Sequence, residues 1–307
     1  MKKILLIIVF ILIKPAYATT SIEEPHTVEI GNIGGEYADL VIEAIDNNLQ
    51  KYGYIAISKP AKNHQENIDK LKAGTISSAF IPLDIAAFNL TAENDPEENL
   101  LLIGGKVAPK VFFCVAYKGS NIKSYSDLIN NDSSLKISVG NKNSITARTF
   151  HNLAELEPKL QNFKLYYEST TKIELNRLLS GRRDLVCFTS IPDPDNELIN
   201  MVSGHGELSF ITIEQPSFAE SKIGKIRIYD ILEIPVTNGF LGFNQEKVKT
   251  LVTWLSVVVN EKQMDQKLLN SLTSVVMKPD LFLSHSFAYK TKKLFNMAVT
   301  QIKEMVK

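Results

Sequence analysis

The sequence predicts an α/β protein of two lobes, each a mainly parallel sheet with flanking helices, the lobes joined by crossing strands. Three observations lead there. Strand-like and helix-like segments alternate through the first part of the chain, the pattern of a parallel sheet covered by helices. The same order of segments begins again at Lys136. Between the two series, Val111–Tyr117 is an apolar run with no helix before it, placed to cross from one lobe to the other.

The composition suits a folded chain. It has 307 residues, 44% hydrophobic and 22% charged, with a formal net charge of zero. That is apolar content for a sizeable core and length for one large or two medium domains. A neutral balance gives no support for nucleic-acid binding, which needs a basic surface. The late lysines, among them Lys290, Lys293 and Lys303, read as a solvated helix face.

Residues 1–18 read as a secretory signal peptide. Lys2 and Lys3 precede ten apolar residues, Ile4 to Ile13, and Ala16-Tyr17-Ala18 has the small-x-small form of a cleavage site. The run is too short to span a membrane. Cleavage after Ala18 and a periplasmic location are expected. No cysteine follows the run, so no lipid anchor is expected. Cys114 and Cys187 are the only cysteines, both in strand-like runs. Export permits a disulfide between them; two buried thiols serving as small hydrophobes fit equally.

The elements follow in order. Val28–Asn32 reads as a strand, Gly34-Gly35 as a turn and the segment from Glu36 as a helix. Ile55–Ser58 is a second strand. Glu66 to Ala73 is a helix ended at Gly74. Ser78–Ile81 is a third strand stopped by Pro82, and Asp84 opens a helix over Ile85–Phe88. Asn89 to Asn99 is polar and acidic, the pattern of an exposed loop. Leu100–Gly104 and Val111–Tyr117 read as two strands, and Ser124–Leu128 as a capped short helix.

The second series has a strand at Lys136–Val139, a turn at Gly140–Ser144 and a helix over Ile145–Glu155. A strand at Lys164–Tyr167, a helix over Thr170–Leu179 and a strand at Asp184–Phe188 complete it. Ser209–Ile213, Ile226–Tyr229 and Phe240–Phe243 are further strand candidates. Val248–Glu261, Asp265–Leu272 and Ser286–Val306 read as helices. The expected division is residues 26–113 and 236–307 for the first lobe, with 114–235 inserted as the second.

Several short motifs resemble the type II periplasmic solute-binding proteins, nearest to the TAXI family of TRAP transporter receptors. They are Gly34-Gly35-Glu36-Tyr37, Asn63-His64-Gln65-Glu66-Asn67, Gly74 to Ala79 with Asp84, Asn143-Ser144-Ile145-Thr146, and Leu178 to Asp184. The C-terminal part, from Glu233-Ile234-Pro235 onward, also resembles tripartite tricarboxylate transporter receptors. Asn63, His64, Pro82, Asn143 and Ile145 depart from the family pattern.

The resemblance implies a solute held between the lobes and passed to membrane permease subunits. Turns after parallel strands gather at one sheet edge and are the natural ligand contacts. Gly34 and Gly35 let backbone approach a ligand, or simply make the turn. Tyr37 stacks on a ligand or packs between helix and sheet. Asp84 meets an amino group or caps its helix. Asn63, Asn143, Ser144 and Thr146 are hydrogen-bonding candidates, Ser144 also as a helix cap, and Arg148 is a partner for a carboxylate. His64 and His151 read as polar surface residues, Asp193 and Asp195 as turn residues.

No cofactor or metal is expected, and no catalytic constellation can be assembled from the motifs present. The expected function is capture of a small anionic or zwitterionic organic solute, a carboxylate or amino acid, for a TRAP-type transporter. The alternative is an exported sensing or interaction protein on the same scaffold.

Overall fold

The computed structural model describes residues 26–278 except 34–35, 93–99, 132–133, 168–169, 224 and 239–243. The signal-peptide segment, the Gly34-Gly35 turn, the Phe240–Phe243 strand and the Ser286–Val306 helix lie outside the described residues.

The first series is β1 (His26–Asn32), α1 (Glu36–Leu49), β2 (Tyr54–Pro60), α2 (His64–Lys72), β3 (Ser78–Pro82) and α3 (Leu83–Ala92). The long strand β4 (Leu100–Tyr117) and short helix α4 (Tyr125–Asn130) follow. The second series is β5 (Lys136–Ser138), α5 (Ile145–Leu156), β6 (Lys164–Tyr166), α6 (Thr171–Leu179) and β7 (Leu185–Ser190). After it come α7 (Glu197–Ser203), β8 (Leu208–Phe210), α8 (Pro216–Glu220), β9 (Lys222–Ile223), β10 (Ile226–Arg227) and β11 (Asp230–Pro235). Strand β12 (Lys247–Asn260) and helix α9 (Gln266–Val276) close the described chain.

The strands of the main sheet run in the order β2-β1-β3-β12-β4-β7-β5-β6, with β11 beside β12 and β8 beside β4. The repeat seen in the sequence is thus a repeat of topology. In the first series β1 pairs in parallel with β2 and β3; in the second, β5 pairs in parallel with β6 and β7. Each third strand then meets a long antiparallel one, β12 beside β3 and β4 beside β7.

Three expectations change. Leu100–Gly104 and Val111–Tyr117 are one strand, because β12 pairs with β4 along most of its length, with register shifts between Leu255 and Val258. Val248–Glu261 is strand, not helix. Its β-branched residues (Val248, Thr250, Val252, Thr253, Val257, Val258, Val259) are all buried, so both faces of the strand are covered. A run apolar on both faces has no period to separate strand from helix. The polar segment from Asn89 begins as helix, since α3 continues to Ala92.

Both faces of each half are packed. On β4, Phe112, Cys114 and Ala116 point into one core, and Val111, Phe113 and Val115 into another. In the first series β1 and Phe80 pack beneath α1 and α9, while Ala79 and Ile81 pack against α2. Gly104 admits α9 to the sheet: a Cβ there would lie 2.0 Å from Val276 Cγ1. Asp265 caps α9, accepting from the Leu268 amide at 2.7 Å. Cys114 and Cys187 are opposite each other on β4 and β7 and form a disulfide. Among the described residues no helix is long and apolar enough to cross a membrane.

Candidate functional site

A cleft of about 640 Å³ opens between α2 and α3 of the first series and α5 of the second. One wall is Asn63, His64, Gln65, Glu66 and Asp69, with Ile85 and Asn89 at its base. The other is Asn143, Arg148, His151, Asn152 and Glu155. Apart from Ile85, every one of these side chains is polar.

Local sequence explains both walls. Asn63 is the N-cap of α2, its Oδ1 accepting from the Glu66 amide at 2.9 Å. Glu66 in turn accepts from the Lys62 amide at 2.8 Å and pairs with Lys70 at 2.9 Å. The Lys62 amide first, then Lys70, holds its carboxyl below the ordinary range. Asp69 accepts from Gln65 Nε2 at 3.0 Å. On α5, Arg148, His151, Asn152 and Glu155 follow the i, i+3, i+4, i+7 spacing of one helix face.

Of the residues predicted to meet a ligand, Asn63, Asn143 and Arg148 are brought together in this cleft. Ser144 caps α5: its Oγ accepts from the Ala147 amide at 3.1 Å and donates to Val139 O at 3.2 Å. Thr146 is buried, its Oγ1 accepting from the Thr189 amide at 3.0 Å. Gly34 and Gly35 lie outside the described residues; Tyr37 stands in the first turn of α1. The turn reading of Asp193 holds, since its Oδ1 accepts from the Asp195 amide at 3.0 Å.

Asp84 is 2% exposed and is the second residue of α3 rather than its N-cap. Its Oδ1 accepts from the Ile85 amide at 2.9 Å. Its Oδ2 accepts from Thr149 Oγ1 of α5 at 2.7 Å and from the Tyr229 hydroxyl at 3.2 Å. Burial pushes the Asp84 carboxyl up, against the lowering effect of these hydrogen bonds. Burial, then the neighbouring Asp84, pushes the Tyr229 hydroxyl well up. A buried polar bridge therefore joins the two series through residues next in sequence to Ile85 and Arg148, which line the cleft.

His64 corrects the sequence reading. It is 6% exposed, at the first position of α2 on the buried side of that helix, and it is one of the residues lining the cleft. Burial, then Lys110, lowers its pKa to about 3. A single histidine at a turn or helix position reads as a polar surface residue. The signal pointing inward was its spacing to Ile68 and Leu71, the apolar stripe of the same helix. His151 is exposed, as expected, its ring stacked on Tyr167 and its Nε2 3.0 Å from that hydroxyl. Sequence reasoning also missed Asn152 and Glu155, legible as the polar face led by Arg148. Thr149 and Tyr229 carried no local signal.

No protein-family model matches the chain, and no curated protein matches it in sequence. Solved structures do match in fold. The periplasmic aliphatic sulphonate binding protein SsuA from Escherichia coli is 13% identical, with a TM-score of 0.50 over 90% of this chain and 79% of that one. The fold is that of the two-lobed periplasmic binding proteins. A TctC solute binding protein from Polaromonas is 14% identical, with a TM-score of 0.49 over 85% of this chain and 88% of that one. Among the described residues no group of three or more His, Cys, Asp or Glu side chains is arranged to hold a metal ion.

Proposed function

We propose that the chain is an exported receptor that captures a small organic solute between its lobes and delivers it to membrane permease subunits of the TRAP type. The observation that carries this reading is the cleft itself. Its volume of about 640 Å³ lies within the range of roughly 300–1,000 Å³ usual for small-molecule sites, and both strand–helix series contribute polar side chains to it. Closing two such walls on a solute removes it from water and strengthens each polar contact.

The charges favour a zwitterion among the anionic and zwitterionic candidates. Arg148 supplies one cation for a carboxylate, while Glu66, Asp69 and Glu155 supply carboxylates for an ammonium group. A dianion would face more negative than positive charge. The proposed role is non-enzymatic, in the periplasm, with the signal peptide removed after Ala18 and the lobes divided at about residues 113 and 236. Isothermal titration of the folded protein against a panel of carboxylates and amino acids tests it. Saturable one-to-one binding of at least one amino acid supports the reading; heats of dilution alone across the panel reject it.

A further inference from the structure

The charges lining the cleft divide into those the fold has already paired and those it has not. On α2, Glu66 is paired, accepting from the Lys62 amide at 2.8 Å and from Lys70 at 2.9 Å. Asp69 accepts from the neutral Gln65 carboxamide at 3.0 Å and pairs with no cation among the described residues. On α5, neither Arg148 nor Glu155 forms an ion pair or a side-chain hydrogen bond among the described residues. Asp69, Arg148 and Glu155 all line the cleft and are all exposed.

Helix stability does not account for the two charges on α5. The start of a helix favours carboxylates and its end favours cations. Helix α2 follows that rule, with Glu66 in its first turn and Lys70 and Lys72 in its last. Helix α5 has no acidic residue in its first turn and no basic residue in its last. Its charges in the cleft are reversed, with Arg148 near the start and Glu155 near the end. Nor do the two serve each other. Their spacing of i, i+7 sets them about 10 Å apart along the helix axis, past the i, i+3 and i, i+4 distances at which side chains on one helix pair.

We propose that the captured solute is a basic amino acid, its carboxylate on Arg148, its side-chain ammonium or guanidinium on Glu155 and its α-ammonium on Asp69. This rests on the receptor reading and narrows its zwitterion to a solute with one carboxylate and two cations, the complement of the three unpaired charges. A carboxylate and an ammonium on one α-carbon are too close together to reach from Arg148 to Glu155. The cation at Glu155 therefore belongs to a side chain lying along α5. A neutral amino acid would leave one carboxylate of the cleft without a counter-charge as the walls close on it, which costs affinity. An acidic one would set its second carboxylate against Glu155.

The test is calorimetric titration of the full mature chain with two matched pairs of solutes. L-arginine is compared with L-citrulline, in which a neutral urea replaces the guanidinium, and L-lysine with L-norleucine. The charged member of each pair should bind about 10-fold or more tightly than the neutral one. Glu155→Gln should bring the charged members down to the affinity of the neutral ones. Asp69→Asn should weaken all four alike. Equal binding of charged and neutral members, or a preference that survives Glu155→Gln, overturns the assignment and leaves the receptor reading standing. If no amino acid or carboxylate binds, the receptor reading fails and the assignment with it. A ligand-free measurement separates binding from folding. Glu155→Lys should leave Tm unchanged or raise it, because a cation suits that end of α5. A Tm lowered by more than about 2 °C would show Glu155 serving the fold and overturn its assignment to a solute.

Discussion

Thr149 of α5 donates a 2.7 Å hydrogen bond to Asp84 of α3, joining the two strand–helix series through a carboxylate that is 2% exposed. Tyr229 donates to the same oxygen at 3.2 Å. Asp84 and Thr149 are each next in sequence to a residue lining the cleft, Ile85 and Arg148, so the bridge ties together helices that form its walls. Thr149→Val keeps the shape of the side chain and removes the donor. It should cost about 1–3 kcal/mol in chemical denaturation, because a buried carboxylate loses its shortest bond. A variant as stable as the parent would mean that the bridge contributes nothing.

His64 gives a pH dependence with a definite sign. Its folded pKa is lowered from 6.5 to about 3 by burial and then by Lys110. Its contribution to stability is fully present above the unfolded value and is lost as pH falls from 6.5 toward 3, where the unfolded chain binds a proton that the folded chain refuses. Subtracting the stability–pH curve of His64→Leu from that of the parent should isolate a slope confined to that interval. Parallel curves would place the ring in water.

Helix α6 of the second series anchors a buried ion-pair cluster. Glu174, fully buried, accepts from Arg183 Nε at 2.6 Å and Arg177 Nη1 at 2.5 Å. Arg183 also stacks over the Tyr166 ring at 3.8 Å. Glu174→Ala leaves the buried Arg183 without its carboxylate and should cost about 3–5 kcal/mol. Equilibrium unfolding measures this, and a loss below about 1 kcal/mol would contradict the burial of the pair.

The disulfide between Cys114 and Cys187 closes a separation of 73 residues across β4 and β7. In the chain-entropy account a loop of that size contributes about 4 kcal/mol, through the unfolded state. The double variant Cys114→Ala/Cys187→Ala should lose a comparable amount in denaturant titration. It should retain solute binding, because the bond lies in the core and not in the cleft.

The sequence made the first series and the second legible because each parallel strand is short, apolar and followed by a turn and a helix with its own punctuation. It did not make β12 legible. Val248 to Val259 is buried on both faces, and a run without alternation carries no strand period. The cleft was legible in outline. Asn63, Asn143 and Arg148 stand at helix starts after parallel strands, and they meet there. His64 was hidden by polar neighbours, although its spacing to Ile68 and Leu71 marked the inward face. The Asp84–Thr149–Tyr229 bridge joins residues 65 and 145 positions apart. No local pattern records such a contact.

Arg148 is the cation of the cleft available to a solute carboxylate, and its truncation bears on capture alone. Arg148→Ala should weaken a carboxylate-bearing solute by about 10-fold or more, with Tm nearly unchanged because the side chain is exposed. Equal affinity in titration calorimetry would remove Arg148 from the site.

The most direct measurement is a crystal structure of the mature protein with the best-binding amino acid of the titration panel at saturating concentration. The expected result is density for one solute between α2 and α5, its carboxylate at Arg148. Solute density elsewhere on the molecule, with only solvent between those helices, would contradict it.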